Sequence, residues 1–217
     1  MEGDTAPEEI GDVAYGIFEI ILNKGLKSRG DYLFERVERE DDFRQDFEEI
    51  FSDFTTDYEI LANALLEKFT DTNTIYNKIC EGEGVFPSKT TQMYWIVQDA
   101  PDFEANPDDE NRGGKWLIFL ERDVADLMWR KIRDATVKGR LGISAKTSTA
   151  KENPDSRDDR IVIYVHTKDW EDADDVMNIR EVLRELGVEQ RIGYKRNIET
   201  YHGDYSEGGK KVTYYSA

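Results

Sequence analysis

The sequence predicts an α+β protein: an all-helical N-terminal module, then a curved, mostly antiparallel sheet with helices packed on one of its faces. Three observations carry this. Apolar residues recur at helical spacing through the first 80 residues. The pattern then switches to short runs of β-branched and aromatic residues, of which Ile161-Val162-Ile163-Tyr164-Val165 is the clearest. Two amphipathic stretches lie between such runs and the connections are long, as an antiparallel sheet with its helices segregated to one face requires. The expected organisation is a helical module over 1–81, a linker over 82–92 and an α+β ligand-binding domain over 93–217.

The helical module reads as five helices. The first carries Ile10, Val13, Ala14, Ile17, Ile20 and Ile21, and Gly25 is expected to end it, with Lys24 in the last turn. The second covers 31–40. The third carries Phe43, Phe47, Ile50, Phe51 and Phe54. This aromatic stripe fits a partner groove, but a buried bundle face has the same spacing and is the expected reading. The fourth, capped by Thr56 or Asp57, carries Ile60, Leu61, Ala64, Leu65 and Phe69. The fifth, begun by Asp71 or Thr72, carries Ile75, Tyr76 and Ile79. Gly82, Gly84 and Pro87 then break the pattern.

In the second part, strands are expected at 93–97, 115–120, 141–148, 161–165, 191–195 and 212–215. An acidic loop with Pro101 and Pro107 follows the first strand, and a turn is expected at 155–159. One helix begins near Asp123 with Val124, Leu127, Met128, Ile132 and Ala135. Another runs from Asp172 to Leu186 and is closed by Gly187. Between the last two strands lies a polar stretch from Asn197 to Gly209.

The formal charge of −18 opposes non-specific contact with nucleic acid or an anionic membrane, so a phosphate-bearing ligand needs a local basic pocket. The Asp-rich loops fit a salt-adapted, archaeal source. The single cysteine, Cys80, excludes an internal disulfide and a thiolate zinc site. Two histidines cannot build a His-rich metal centre, and no metal or cofactor is expected. The acidic start Met1-Glu2-Gly3-Asp4 is unlike a signal peptide, and no apolar run reaches membrane-spanning length. A cytoplasmic protein without membrane contact is therefore expected. Phosphate-binding, dinucleotide and nucleophile-elbow motifs are all lacking.

What remains is a set of cationic and aromatic residues near strand ends. Strand alternation puts Ser144, Lys146 and Ser148 on one face, as it does Tyr164 with His166 and Tyr194 with Arg196. Gathered on one concave face, these groups bind phosphate or carboxylate; on an outer face they are only a solvated surface. The polar stretch adds Lys195, Asn197, Thr200, Tyr201 and His202. Among the tryptophans, Trp116 and Trp129 sit in core patterns. Trp95 and Trp170 are the candidate stacking platforms.

Four stretches carry a resemblance: Gly113-Gly114-Lys115-Trp116-Leu117-Ile118, Gly142-Ile143-Ser144-Ala145-Lys146-Thr147, Ile161-Val162-Ile163-Tyr164, and Ile192-Gly193-Tyr194-Lys195 followed by Thr200. Over 93–217 the chain resembles the phosphothreonine lyase domain family of archaea and eukaryotes, whose animal relative is the basophilic-leukaemia-expressed protein. That family is similar in fold to the eukaryotic cap-binding translation initiation factor. The resemblance implies two activities. One is binding of a nucleotide, an RNA end or another phosphorylated small molecule, in a translation-related role. Its ligand-binding set is Lys115, Trp95, Tyr164, Trp170, Tyr194, Lys195, Arg196, Thr200 and His202. The other is β-elimination from phosphothreonine, with Lys146 as base and His166 as acid. A third expectation is a protein–protein adaptor that meets its partner through residues 8–80.

Overall fold

The computed structural model describes residues 7–101, 103, 111–153, 159–198 and 213–217. The expected ligand residues Thr200 and His202, Tyr201 beside them, and most of the acidic loop lie outside the described residues. The chain divides into two compact units, Met1–Tyr94 with Thr149–Pro154, and Trp95–Ser148 with Asp155–Ala217.

The first unit is a helical bundle: α1 (Pro7–Ser28), α2 (Leu33–Glu38), α3 (Arg44–Asp57), α4 (Glu59–Phe69) and α5 (Thr72–Cys80). Its core is aromatic. Phe18 lies within 5.6 Å of the ring centres of Phe47, Phe51 and Phe54, and Phe47 meets Tyr76 at 5.3 Å. Each such buried ring contributes roughly 1.5–3 kcal/mol. The stripe on α3 is thus bundle core. The Asp71 side chain caps α5 by accepting from the Thr74 N–H at 2.7 Å.

Two expectations for α1 fail. The helix runs through Gly25 to Ser28. Gly25 is there because Ile50 of α3 packs on it, and a Cβ would stand 2.7 Å from Ile50 Cδ1. The buried face is Ala14, Tyr15, Phe18, Leu22 and Leu26, whereas Ile10, Val13 and Ile20 are exposed. α1 has apolar residues on two faces, and the aromatic core chose the one bearing Tyr15 and Phe18. Residues 82–92 belong to this same unit. Buried Glu83 accepts from the N–H groups of Thr91 and Gln92 at 2.9 and 3.0 Å, which ties the segment back on itself.

The second unit is α+β. Its six strands are β1 (Trp95–Asp99), β2 (Gly114–Leu120), β3 (Ser144–Ser148), β4 (Ile161–Thr167), β5 (Gly193–Arg196) and β6 (Tyr215–Ser216). They form one open, curved sheet in the order β1-β3-β4-β2-β5-β6, with every neighbouring pair antiparallel. α6 (Arg122–Val137) packs across β1, β3 and β4. α7 (Ala173–Glu185) is tied to β2 by the Trp116 indole N–H, which donates to the Val176 carbonyl at 3.1 Å. Both helices therefore back one face, whose core is Trp116, Ile118, Trp129, Ile132, Ala145, Ile163, Val165 and Leu183. No helix among the described residues is long and apolar enough to cross a membrane.

Candidate functional site

The face of the sheet opposite α6 and α7 is built by strand alternation. In β2 the core takes Trp116, Ile118 and Leu120, so Lys115, Leu117 and Phe119 turn the other way. In β4 the core takes Ile161, Ile163, Val165 and Thr167, which leaves Val162, Tyr164 and His166. In β3, Ala145 and Thr147 are buried, leaving Ser144, Lys146 and Ser148. Trp95, Val97 and Asp99 follow the same rule in β1.

Register then sets these side chains in rows across the strands. One row reads Asp99, Ser144, His166, Lys115, Lys195, from β1 to β5. The next reads Val97, Lys146, Tyr164, Leu117, Gly193. Gly142 makes the register possible. It holds φ +56°, and a Cβ there would overlap the His166 carbonyl oxygen, which accepts from the Ile143 N–H at 2.9 Å. Only glycine lets the start of β3 approach β4 so closely.

Within this face Trp95 and Tyr164 stack with ring centres 5.3 Å apart and planes 29° from parallel. The Lys146 ammonium lies 4.5 Å from the centre of the Trp95 ring and 5.4 Å from that of Tyr164. The Lys115 ammonium lies 5.5 Å from the Tyr164 ring on its other flank, and Nζ donates to Asn197 Oδ1 at 3.5 Å. His166 meets Tyr164 edge to face at 6.4 Å.

The electrostatics follow from crowding cations in a half-buried place. Burial, with Lys146 and Lys195 nearby, pulls Lys115 down to about 8. Burial also lowers Lys146. His166 is pushed down to about 3 by burial and by Lys146 and Lys115, so it is neutral at physiological pH. These shifts mark a place where an incoming anion relieves repulsion.

The structure therefore brings together Lys115, Lys146, Tyr164, His166, Trp95 and Lys195. It separates Tyr194, Arg196 and Trp170 from them. Tyr194 lies on the helix-backed face, fully buried, with its hydroxyl hydrogen-bonded to Thr167 Oγ1 at 2.6 Å and its ring on Trp116. Arg196 shares the Tyr194 face by alternation. Its guanidinium lies 4.8 Å from the Trp170 ring and 4.5 Å from that of Tyr214. Trp170, expected as a platform, so forms a second aromatic cluster away from Trp95. The expectation that Lys146, Tyr164, Tyr194 and Arg196 share a face is corrected. The phase of β5 is set by Tyr194 packing under Trp116, which puts Lys195 on the lysine face instead. Leu117, Phe119 and Val97 were missed as members of the site, whereas Asn197 of the polar stretch reaches it through Lys115. The alternation in 115–120, with Trp116 in the core, is the signal that points to the first two.

A family model described as basophilic leukemia-expressed protein Bles03 matches residues 37–203. Among solved structures, a schistosome eIF4E complexed with m7GpppA and 4E-BP is 16% identical, with 54% of this chain and 66% of that chain covered and a TM-score of 0.41. A C. elegans eIF4E-3 in complex with the 4E-binding protein Mextli and a cap analog is 18% identical, covering 47% and 61%, with a TM-score of 0.37. An Ascaris suum eIF4E-3 with m2,2,7G cap is 17% identical, covering 54% and 64%, again at 0.37. The chain spans less than two thirds of the length of each. At such identities a shared ligand does not follow from a similar sheet.

Proposed function

The chain belongs to the family of the basophilic leukemia-expressed protein Bles03, and on that premise we propose that it binds a phosphate-bearing ligand with an aromatic group on the face of the sheet opposite its helices. The observation that carries this reading is the juxtaposition of Lys115 and Lys146 on the two flanks of Tyr164, beside the Trp95 ring. Ammonium groups serve the phosphate and the ring pair serves a flat base. A nucleotide or an RNA end has that composition, and a translation-related role belongs to the same proposal.

Calorimetric titration with guanosine monophosphate tests it. The wild-type protein is expected to bind. Lys146→Ala is expected to weaken binding by about tenfold or more, the worth of one charge-assisted hydrogen bond. Absence of binding, or an unchanged affinity in the variant, overturns the proposal.

One observation favours a second reading, β-elimination from phosphothreonine. Lys146 and His166 share the face, and Lys146 acts electrostatically on His166. A lowered pKa leaves more of the lysine as the neutral amine that a general base needs. A histidine held neutral, however, has lost the proton an acid needs. The expected outcome with a phosphothreonine peptide is no loss of phosphoric acid by mass spectrometry. Formation of the dehydrated peptide, abolished in Lys146→Ala, would put the lyase first.

A further inference from the structure

We propose that residues 82–92 form a pH-controlled clasp on α1: a proton on Glu19 keeps that side chain beside the buried carboxylate of Glu83, and loss of the proton loosens the segment. The proposal is independent of the binding reading, since α1 and the segment both lie in the first unit. The segment is folded tightly on itself. Gly82 and Gly84 hold φ +110° and +80°, and the Gly84 N–H donates to Thr90 Oγ1 at 2.9 Å. Glu83, between the two glycines, is 3% exposed. Its carboxylate accepts from the Thr91 N–H at 2.9 Å, the Gln92 N–H at 3.0 Å and the Thr91 hydroxyl at 3.1 Å. One carboxylate thus joins the two ends of the segment.

Glu19 meets that segment from α1. A Cβ on Gly84 would stand 3.2 Å from Glu19 Cγ, so the glycine leaves the room that the Glu19 stem fills. Tyr15, one turn earlier on α1, is fully buried, its hydroxyl has no hydrogen-bond partner among the described residues, and both carboxylates act on it. Lys68 and Lys151 do not neutralise the pair, because both are taken by Asp12, two turns before Glu19. Lys89 of the segment donates instead to the Glu81 carbonyl at 3.0 Å. Two acids in such a place repel when both are ionised. Every partner of Glu83 is a donor, so the proton of the pair resides on Glu19. Burial first, and then Glu83, push the Glu19 carboxyl up to about 8 from an ordinary 4.5. The folded state therefore holds this proton more tightly than the unfolded chain does. The contribution of Glu19 to stability is greatest below about pH 4.5, falls as pH rises to about 8, and is constant beyond.

Two measurements on the full chain test the clasp. In the first, wild-type protein carrying 13C at its glutamate carboxyls is titrated by NMR at about 0.15 M potassium chloride. One glutamate is expected to titrate near pH 8. If all of them titrate below about pH 6, the proposal is overturned. The second is amide hydrogen exchange at Thr91 and Gln92, read against Glu19→Gln, which keeps the shape of the protonated acid at every pH. The ratio of wild-type to variant exchange rate is expected to grow by up to about tenfold for each pH unit from about 5.5 to about 8, and then to level off. A ratio that stays constant with pH, or that falls, overturns the clasp even where Glu19 titrates late, because the segment would not answer to it. Should Glu19→Gln fail to fold, the same two amides in the wild type carry the test, corrected for the intrinsic pH dependence of exchange: protection that stays flat from about pH 6 to about pH 8 overturns the proposal, and protection that declines over that range supports it.

Discussion

Lys115 is the residue on which the electrostatics of the site turn. It is 8% exposed, it lies against Tyr164, and two further lysines act on it. Burial and those neighbours hold it near 8, against an ordinary 10.5. The consequence has a definite sign. An anion restores the charged form, so it raises the pKa back towards the ordinary value and binding takes up a proton. Uptake is expected to grow as pH rises from 7 through 8 and to vanish only above 10.5. Affinity is expected to fall as pH rises through the same window, because the proton must be supplied. Titrations with guanosine diphosphate in two buffers of different ionisation enthalpy read the uptake directly. Zero uptake at pH 9 would show that the anion does not meet Lys115. Sequence alone named Lys115, Lys146 and His166 as residues of the right kind, but no residue-level pattern carries a depressed pKa. That depends on how deeply the neighbours bury the group.

At the scale of elements, alternation made half of the site legible. The strand at 161–165 was read from its β-branched run, and with it the shared face of Tyr164 and His166. The phase of β5 was not legible, because both of its faces carry large polar or aromatic groups. Tyr194 went inward by packing under Trp116 and bonding Thr167. α1 misled for the same reason, with apolar residues on two faces and a glycine in mid-helix that looked like a stop. The joint between β3 and β4 supplies a test at this scale. Gly142→Ala puts a Cβ into the His166 carbonyl at a left-handed backbone position. Strain of that kind costs about 1–3 kcal/mol, and the overlap adds to it. Urea unfolding is expected to show a lower midpoint at unchanged slope, and the binding of guanosine diphosphate is expected to weaken as Lys146 is displaced. A midpoint equal to wild type would mean that β3 has another way to approach β4.

For the whole molecule the dominant quantity is the charge of −18. Self-repulsion opposes the compact state, and salt relieves it. The melting temperature is expected to rise as potassium chloride goes from a few millimolar to about 0.15 M, where the Debye length falls to about 8 Å. A melting temperature that is flat or falls with salt would show that the charges are already paired locally. The sequence by itself determined the elements and their order: periods of 3.6 and 2 are properties of the local backbone, and caps such as Asp71 need only neighbours a few residues away. It also determined which residue types were available for an anion. Only the tertiary structure decided which face of α1 and of β5 turns inward. It also decided that residues 149–154, beyond β3, join the first unit, where Lys151 bonds Asp12 and the Gln92 carbonyl. Those choices are made by the element that covers a face, and that element is distant in sequence, so no local pattern encodes it.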